Sequence, residues 1–125
     1  MPKQNNRAVG TRYEDIAVKY LTDKGYEILD RNYHHHTMGE IDIIARDGDT
    51  IVAVEVKYRR SDEYGSPLEA VGPKKQKAIS HAFLAWLTMN HFDTETPCRF
   101  DVIGMYGEGT VNIDHIENAF YYSWL

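Results

Sequence analysis

Three charged residues lie within the most apolar part of this chain. Asp42 stands inside the Ile-rich segment 40–44, and Glu55 and Lys57 alternate with valines in segment 54–57. Burial disfavours the ionised form of a carboxyl group, so acids are uncommon in such segments. A divalent cation removes that penalty, and Mg²⁺ is typically held by one or two carboxylates together with waters and phosphates. A lysine beside them can stabilise negative charge on a reacting phosphate. These residue types therefore indicate metal-dependent phosphodiester hydrolysis.

The spacing of these residues fits a β-hairpin. Residues 40–46 and 51–59 are rich in Ile and Val, and Asp47-Gly48-Asp49-Thr50 is typical of a tight turn. With Gly48 and Asp49 as the turn residues, Asp42 is predicted to lie opposite Glu55.

That register also predicts which side chains share a face. Glu40 lies opposite Lys57, and the period-2 alternation of strands puts Glu40, Asp42, Glu55 and Lys57 together. The other face is then apolar and forms the core, through Ile41, Ile43, Val52, Val54 and Val56. Two facing carboxylates destabilise a hairpin by repulsion. We therefore expect a cation between Asp42 and Glu55.

Glu14 is a candidate third carboxylate. Residues 11–24 have an apolar stripe at helical spacing, Gly25 ends the helix, and Glu14 borders the stripe. From there Glu14 could reach a metal ion or its waters. Thr11 at the N-cap with Glu14 three residues later equally fits a capping box, in which Glu14 only stabilises the helix end.

The remaining elements predict an α/β or α+β domain. Strands are expected at 26–33, 99–106 and 111–116, and a helix begins at Pro73 and ends near Asn90. The resulting order, α-β-β-β-α-β-β, suggests a sheet with helices packed against it. Residues 1–10 are polar and predicted to be a flexible N-terminus, and residues 11–125 to be a single domain.

Charge is distributed unevenly along the chain. The formal net charge is −5, which counts against indiscriminate nucleic-acid binding. Nine of the 14 basic residues nevertheless fall in three clusters, at 3–12, 57–60 and 74–77, whereas the chain from His91 onward has one base and six acids. Such a chain could present one basic face to DNA, although ordinary solvated surface charge explains the same pattern. Arg12 and Arg59 are the candidate DNA contacts in the first two clusters.

Other polar residues have two interpretations each. Lys75 and Gln76 begin the second helix and could contact a phosphate, or be solvated helix surface. The run His34-His35-His36 fits a solvated loop or a phosphate contact better than a metal site. Asp101, within a predicted strand, could support the site or make a strand-edge hydrogen bond or ion pair.

Three features of the sequence bear on location and partners. Cys98 is the single cysteine, no apolar run approaches the length of a membrane-spanning helix, and the first residues lack a secretory signal. We therefore expect a cytoplasmic protein without a membrane partner. A homodimer is a reasonable expectation for an enzyme that cuts two strands.

Several of these segments together resemble a known family. The resemblance covers residues 7–120 and rests on the segments Glu14-Asp15-Ile16-Ala17, Gly39-Glu40-Ile41-Asp42-Ile43-Ile44, Val54-Glu55-Val56-Lys57, Ala70-Val71 and Lys75-Gln76. It is the YraN family, assigned to bacterial endonucleases of the restriction-endonuclease-like superfamily, whose active site is written PD-(D/E)xK. In organisation it is similar to archaeal Holliday-junction resolvases. Two positions depart from the pattern: Ile41 precedes Asp42 in place of Pro, and Tyr13 stands where Gly is expected.

The resemblance implies a role for each candidate. Asp42 and Glu55 would be the acids that hold Mg²⁺ or Mn²⁺, Lys57 the motif's lysine, and Glu14 the helix glutamate that holds a second metal or an outer-shell water. The implied fold is a restriction-endonuclease-like α/β domain with a mixed central sheet flanked by helices. The implied function is hydrolysis of DNA, including branched or damaged DNA. The alternative is a module on the same fold that binds nucleic acid or protein without cutting.

Overall fold

The computed structural model describes residues 6–36, 39–60, 69, 71–107 and 109–122, with side chains from residue 12 onward. Two helices and five strands account for most of them. In chain order they are α1 (Asn6–Asp23), β1 (Glu27–His35), β2 (Gly39–Asp47), β3 (Thr50–Arg59), α2 (Pro73–Met89), β4 (Cys98–Tyr106) and β5 (Asn112–Phe120).

The strands form one mixed sheet in the order β1-β2-β3-β4-β5. Neighbouring strands are antiparallel except β3 and β4, which are parallel. A parallel pair needs a long crossover, and α2 lies in the connection between these two strands. The predicted α/β fold, a mixed sheet flanked by helices, is thereby confirmed. Within the described residues, no helix is long and apolar enough to cross a membrane.

The β2–β3 hairpin has the register that the sequence predicted. Asp47 pairs with Thr50 across the turn, and the pairing continues to Ile43 opposite Val54. Gly48 adopts a φ of 61° in the turn, a conformation that favours glycine. The same register brings Asp42 to the level of Glu55.

An apolar layer covers each face of the sheet. The α1 layer contains Ala17 and Leu21 of the helix with sheet residues Ile43, Ala45, Val52, Val54, Ile103 and Met105. The α2 layer contains Ile79, Ala82, Phe83, Trp86 and Leu87 of the helix with sheet residues Ile41, Ile44, Ile51, Ala53, Phe100 and Val102. Strand β3 is thus buried on both faces, as its continuous apolar run indicates.

This arrangement corrects the predicted division of the hairpin into a polar and an apolar face. Ile41 packs in the α2 layer, opposite to Ile43 in the α1 layer, so strict alternation does not extend through Asp42. The face of Glu55 is also apolar nearer the turn, where it carries Ile51 and Ala53. Glu55 therefore lies at the end of a buried layer.

The structure also changes some predicted boundaries. Helix α1 begins at Asn6, so residues 6–10 are helical where the sequence predicted a flexible segment, and residues 1–5 lie outside the described residues. The N-cap prediction for Thr11 is wrong, because Thr11 lies inside this helix. Strand β1 extends to His35, and β5 extends to Phe120, since their exposed alternate positions tolerate polar side chains.

Gly39 sets how closely β2 approaches α2. A Cβ atom at this position would lie 2.7 Å from the carbonyl oxygen of Ala78, closer than real Cβ contacts allow. The start of β2 can therefore pack against the α2 backbone only because Gly39 lacks a side chain.

We predict that Gly39→Ala destabilises the protein by about 1–3 kcal/mol, since it forces two backbones apart. Urea unfolding would measure the loss. The matched control is Gly72→Ala, because a Cβ there meets nothing within 4 Å. Equal stability of the two variants would contradict the proposed close packing.

Candidate active site

The candidate site lies where the backbone hydrogen bonding between β2 and β3 ends. One residue beyond the pair Ile43–Val54, the side chain of Asp42 takes over, and its Oδ2 accepts a hydrogen bond of 2.8 Å from the backbone N–H of Val56. The Asp42 carboxyl group is thus fixed against β3, within hydrogen-bonding reach of the Glu55 side chain. The structure brings together the two acids that the sequence predicted to face each other.

Asp42 is held in an environment that opposes its ionisation. Burial is the largest cause, and the hydrogen bond and the negative charge of Glu55 add to it, so that the pKa of Asp42 is raised to about 8. The Val56 N–H and the positive charge of Lys75 act in the opposite direction. Asp42 therefore keeps its proton at neutral pH in the metal-free protein.

Glu55 is 5 % exposed and pairs with a lysine from α2. The Nζ atom of Lys75 lies 3.2 Å from Glu55 Oε2. This contact is an ion pair by distance, but Oε2 has no partner with hydrogen-bond geometry among the described residues. Burial lowers the pKa of Lys75, but the charges of Glu55, Asp42 and Glu40 outweigh it and raise that pKa overall.

Glu14 lies on α1, close enough to Asp42 for the charge of that acid to act on it. Its Oε1 atom is buried and lacks a hydrogen-bond partner in the described part of the chain. Burial raises the pKa of Glu14, and the charge of Asp42 adds to the rise, while the Asn32 side chain and Arg31 lower it. Because α1 begins at Asn6, Glu14 is not in its first turn, and the capping-box interpretation is excluded.

The donor set fits a hard divalent cation. Glu14 Oε1 and Glu55 Oε2 are buried oxygens without hydrogen-bond partners among the described residues. Asp42 lies close enough to Glu14 to raise its pKa, and Glu55 lies close enough to Asp42 to raise the pKa of Asp42. No three His, Cys, Asp or Glu side chains in the described ranges are already placed to ligate one metal ion. Two carboxylates suffice for Mg²⁺ when water and phosphate complete its shell. Asp42 and Glu55 are therefore the candidate ligands.

Lys57 is partly buried, two residues beyond Glu55 on β3. Its ammonium makes no ion pair or hydrogen bond with any residue that the structure describes, so Lys57 does not contact either acid. The lysine that does is Lys75, for which the sequence had offered a phosphate contact or solvated helix surface. That contact depends on how α2 docks over the end of β3, and we find no local sequence signal for it.

The candidate DNA contacts have different surroundings. Arg12 is exposed, with its guanidinium 5.9 Å from the centre of the Tyr13 ring. Tyr13 stacks on Tyr58 at 3.8 Å, so the tyrosine that departs from the family pattern packs against the end of β3. Arg59 is partly buried at the last position of β3.

Gln76 has a structural task. Its Nε2 donates a hydrogen bond of 2.8 Å to the carbonyl oxygen of Val71. The side chain therefore holds the segment that leads into α2, and its amide nitrogen is already engaged.

The histidine run and Asp101 lie outside the acid pair. His34 Nε2 is 3.5 Å from Glu40 Oε1, and the rings of His35 and His36 meet edge to face. Asp101 is 0 % exposed and accepts hydrogen bonds from its neighbours Arg99 Nε (3.0 Å), His115 Nε2 (2.8 Å) and Asn118 N (3.1 Å). Of the two interpretations of Asp101, the structure shows the ion pair.

Asp42 should make the stability of the metal-free protein depend on pH. Its folded pKa of about 8 lies above the ordinary aspartate value of 3.8, so folding favours the protonated acid. The stabilisation is complete below the unfolded pKa and is lost as the pH rises through the folded pKa. We predict that the free energy of unfolding, measured with urea and a chelator, falls from pH 5 to 9 more in the wild type than in Asp42→Asn.

Asp49→Asn, an exposed change in the hairpin turn, serves as the control and should keep the wild-type slope. A slope that is unchanged in Asp42→Asn would show that this carboxyl group does not titrate in that range.

Comparison with known proteins places the chain in a family. The model of the family described as "Uncharacterised protein family UPF0102" matches residues 13–105. The chain is 48 % identical over 118 residues to a UPF0102 protein of Geobacter sulfurreducens, covering 93 % of this chain and 91 % of the relative. It is 50 % identical over 117 residues to one of Syntrophus aciditrophicus (92 % and 90 % covered) and 44 % identical over 116 residues to one of Lachnoclostridium phytofermentans (93 % and 95 % covered). This chain therefore belongs to the UPF0102 family, the YraN family that its sequence resembles.

Proposed function

We propose that this protein is a Mg²⁺- or Mn²⁺-dependent endonuclease that hydrolyses phosphodiester bonds of DNA, with branched or damaged DNA as the class of substrate. One observation carries the proposal: partly buried Asp42 and buried Glu55 lie side by side where β2 and β3 separate, and desolvation together with their mutual repulsion raises the pKa of Asp42. A divalent cation is the ligand that turns this unfavourable pair into a favourable one.

The proposed roles follow from position. Asp42 and Glu55 hold the cation, which when bound supplies Lewis-acid activation of the phosphate and of the attacking water. Lys57 keeps its ammonium available, and it positions that water or stabilises charge on the phosphate. Glu14 holds an outer-shell water or a second cation through Oε1, the oxygen that has no hydrogen-bond partner among the residues described.

Basic groups adjoin the site on two elements. Lys74, Lys75 and Lys77 lie in the first turns of α2. Lys57 and Arg59 lie at the end of β3, and Arg60 follows it. The contact between Lys75 and Glu55 joins these two clusters at the site. Arg99, the base in the acidic C-terminal part, forms ion pairs with Asp47, Asp101 and Glu117. This distribution supports an approach of the DNA backbone from the α2–β3 side.

A module that binds nucleic acid without cutting it is the second candidate. The observation that favours it is the ion pair from Lys75, which already supplies a positive charge to Glu55. Such a protein would bind DNA equally well with and without a divalent cation, so the two candidates differ in their metal dependence.

Metal binding is the first test. We predict that Mn²⁺ at ten times its dissociation constant stabilises the protein by about 1.4 kcal/mol, seen as a rise in Tm. Asp42→Ala should abolish the rise, whereas Asp15→Asn, on the exposed side of α1, should keep it. A rise of equal size in Asp42→Ala would remove Asp42 from the metal site.

Cleavage is the second test. With Mn²⁺ and a panel of duplex, nicked, flapped and four-way DNA, the wild type is expected to cut at least one substrate, and a chelator to stop it. Glu55→Gln and Lys57→Met should each lower the rate by roughly 10²-fold or more, as loss of transition-state stabilisation usually does. Asp15→Asn should cut like the wild type.

DNA binding without cleavage on every substrate, unchanged by the chelator, would favour the binding module. Activity that survives in both Glu55→Gln and Lys57→Met would show that other residues catalyse the reaction.

A further inference from the structure

Lys75 occupies the space beside the buried acid that a cation would use. Its Nζ atom lies 3.2 Å from Glu55 Oε2, and the side chain of Lys75 is 45 % exposed against 5 % for Glu55. The ammonium therefore reaches from solvent to the oxygen that lacks any other partner in the described part of the chain. The negative charges of Asp42 and Glu40 also attract this ammonium.

The ion pair has a clear physical purpose in the metal-free protein. A carboxylate as buried as Glu55 destabilises the fold unless an opposite charge lies beside it. Repulsion from the neighbouring Asp42 increases this destabilisation. Lysine is well suited to act as a temporary partner, because its ammonium is a compact point charge on a flexible four-carbon stem. The half-exposed side chain can leave without opening the core.

We infer that Lys75 is the resident counter-cation of Glu55 and that it leaves this carboxylate when a divalent cation binds there. The inference rests on the proposed function for its second half only. Mg²⁺ binds carboxylate oxygens at about 2.1 Å, so an ion on Glu55 Oε2 and an ammonium at the present distance would repel each other strongly. The ammonium moves outward, since its exposed side faces solvent.

The released ammonium would serve the substrate. Lys75 lies in the first turn of α2, beside Lys74 and next to the helix N-terminus, where backbone N–H groups and the helix dipole also favour a phosphate. Lys75 is then a positioning residue that pairs with Glu55 before the metal binds and with DNA afterwards. Lys57, which has no such partner among the described residues, stays available in both states.

Amine labelling tests both halves of this inference on the full chain. A short pulse of an acylating reagent, read by mass spectrometry, gives a modification rate for each lysine. In metal-free wild type, Lys75 should react about fivefold more slowly than Lys74, which corresponds to roughly 1 kcal/mol for a half-exposed ion pair. Lys74 is exposed in the same helical turn and serves as the internal control.

Two changes should release Lys75. Glu55→Gln, checked for folding by circular dichroism, should raise the Lys75 rate to that of Lys74 without any metal. Saturating Mn²⁺ should do the same in the wild type, with binding followed on the same samples by electron paramagnetic resonance.

The outcomes separate this inference from the proposed function. If Mn²⁺ binds and the Lys75 rate stays low, displacement is overturned while the metal site stands. If Mn²⁺ does not bind, the metal site is overturned and displacement with it. If Lys75 and Lys74 react equally in metal-free wild type, or if Glu55→Gln leaves the Lys75 rate low, the counter-cation role itself is overturned.

Discussion

The replacement of a backbone contact by a carboxylate is the constraint on which the site depends. Where the ladder between β2 and β3 ends, the Val56 N–H still needs an acceptor, because an unpaired buried N–H is costly. Asp42 supplies it through Oδ2 at 2.8 Å. The same hydrogen bond fixes the Asp42 carboxyl group against β3, next to Glu55. The separation of the two strands and the pairing of the two acids are therefore one structural event.

The order of the chain explains why a lysine meets this acid pair. Strand β3 ends at Arg59 and is parallel to β4, so the connection must return to the end of the sheet where β3 starts before β4 begins at Cys98. The 17-residue helix α2 makes most of that return, and it therefore starts near the carboxyl end of β3. The first turn of α2 carries Lys74 and Lys75, and Gly39 lets the helix pack closely against β2. The ion pair from Lys75 to Glu55 follows from this crossover.

What the sequence could predict was local. Two-residue turn chemistry and alternating Ile and Val set the hairpin register, and this register placed Asp42 beside Glu55. The face of Ile41 was predicted wrongly, because the strand geometry changes where the ladder ends. The contact of Lys75 with Glu55 joins residues 20 positions apart through helix docking, so no local pattern contains it. The start of α1 was missed because polar residues at a chain end were interpreted as loop, although Arg7 and Ala8 favour helix.

Two desolvated aspartates in this sheet, Asp42 and Asp101, show what distinguishes a candidate site from a structural network. Asp101 is fully buried; burial raises its pKa, but hydrogen bonds from His115 and Arg99 outweigh that effect and lower it overall. Asp42 accepts one hydrogen bond from a backbone N–H and is stabilised by the positive charge of Lys75. Burial and the neighbouring acid Glu55 outweigh both, and the pKa of Asp42 is raised. The chain thus can give a buried acid a complete set of donors, as it does for Asp101. Beside Asp42, by contrast, the chain places a second acid, Glu55, where a hydrogen-bond donor would have stabilised the fold. An arrangement that costs stability is expected where the missing partner comes from outside the chain, and for two carboxylates that partner is a cation.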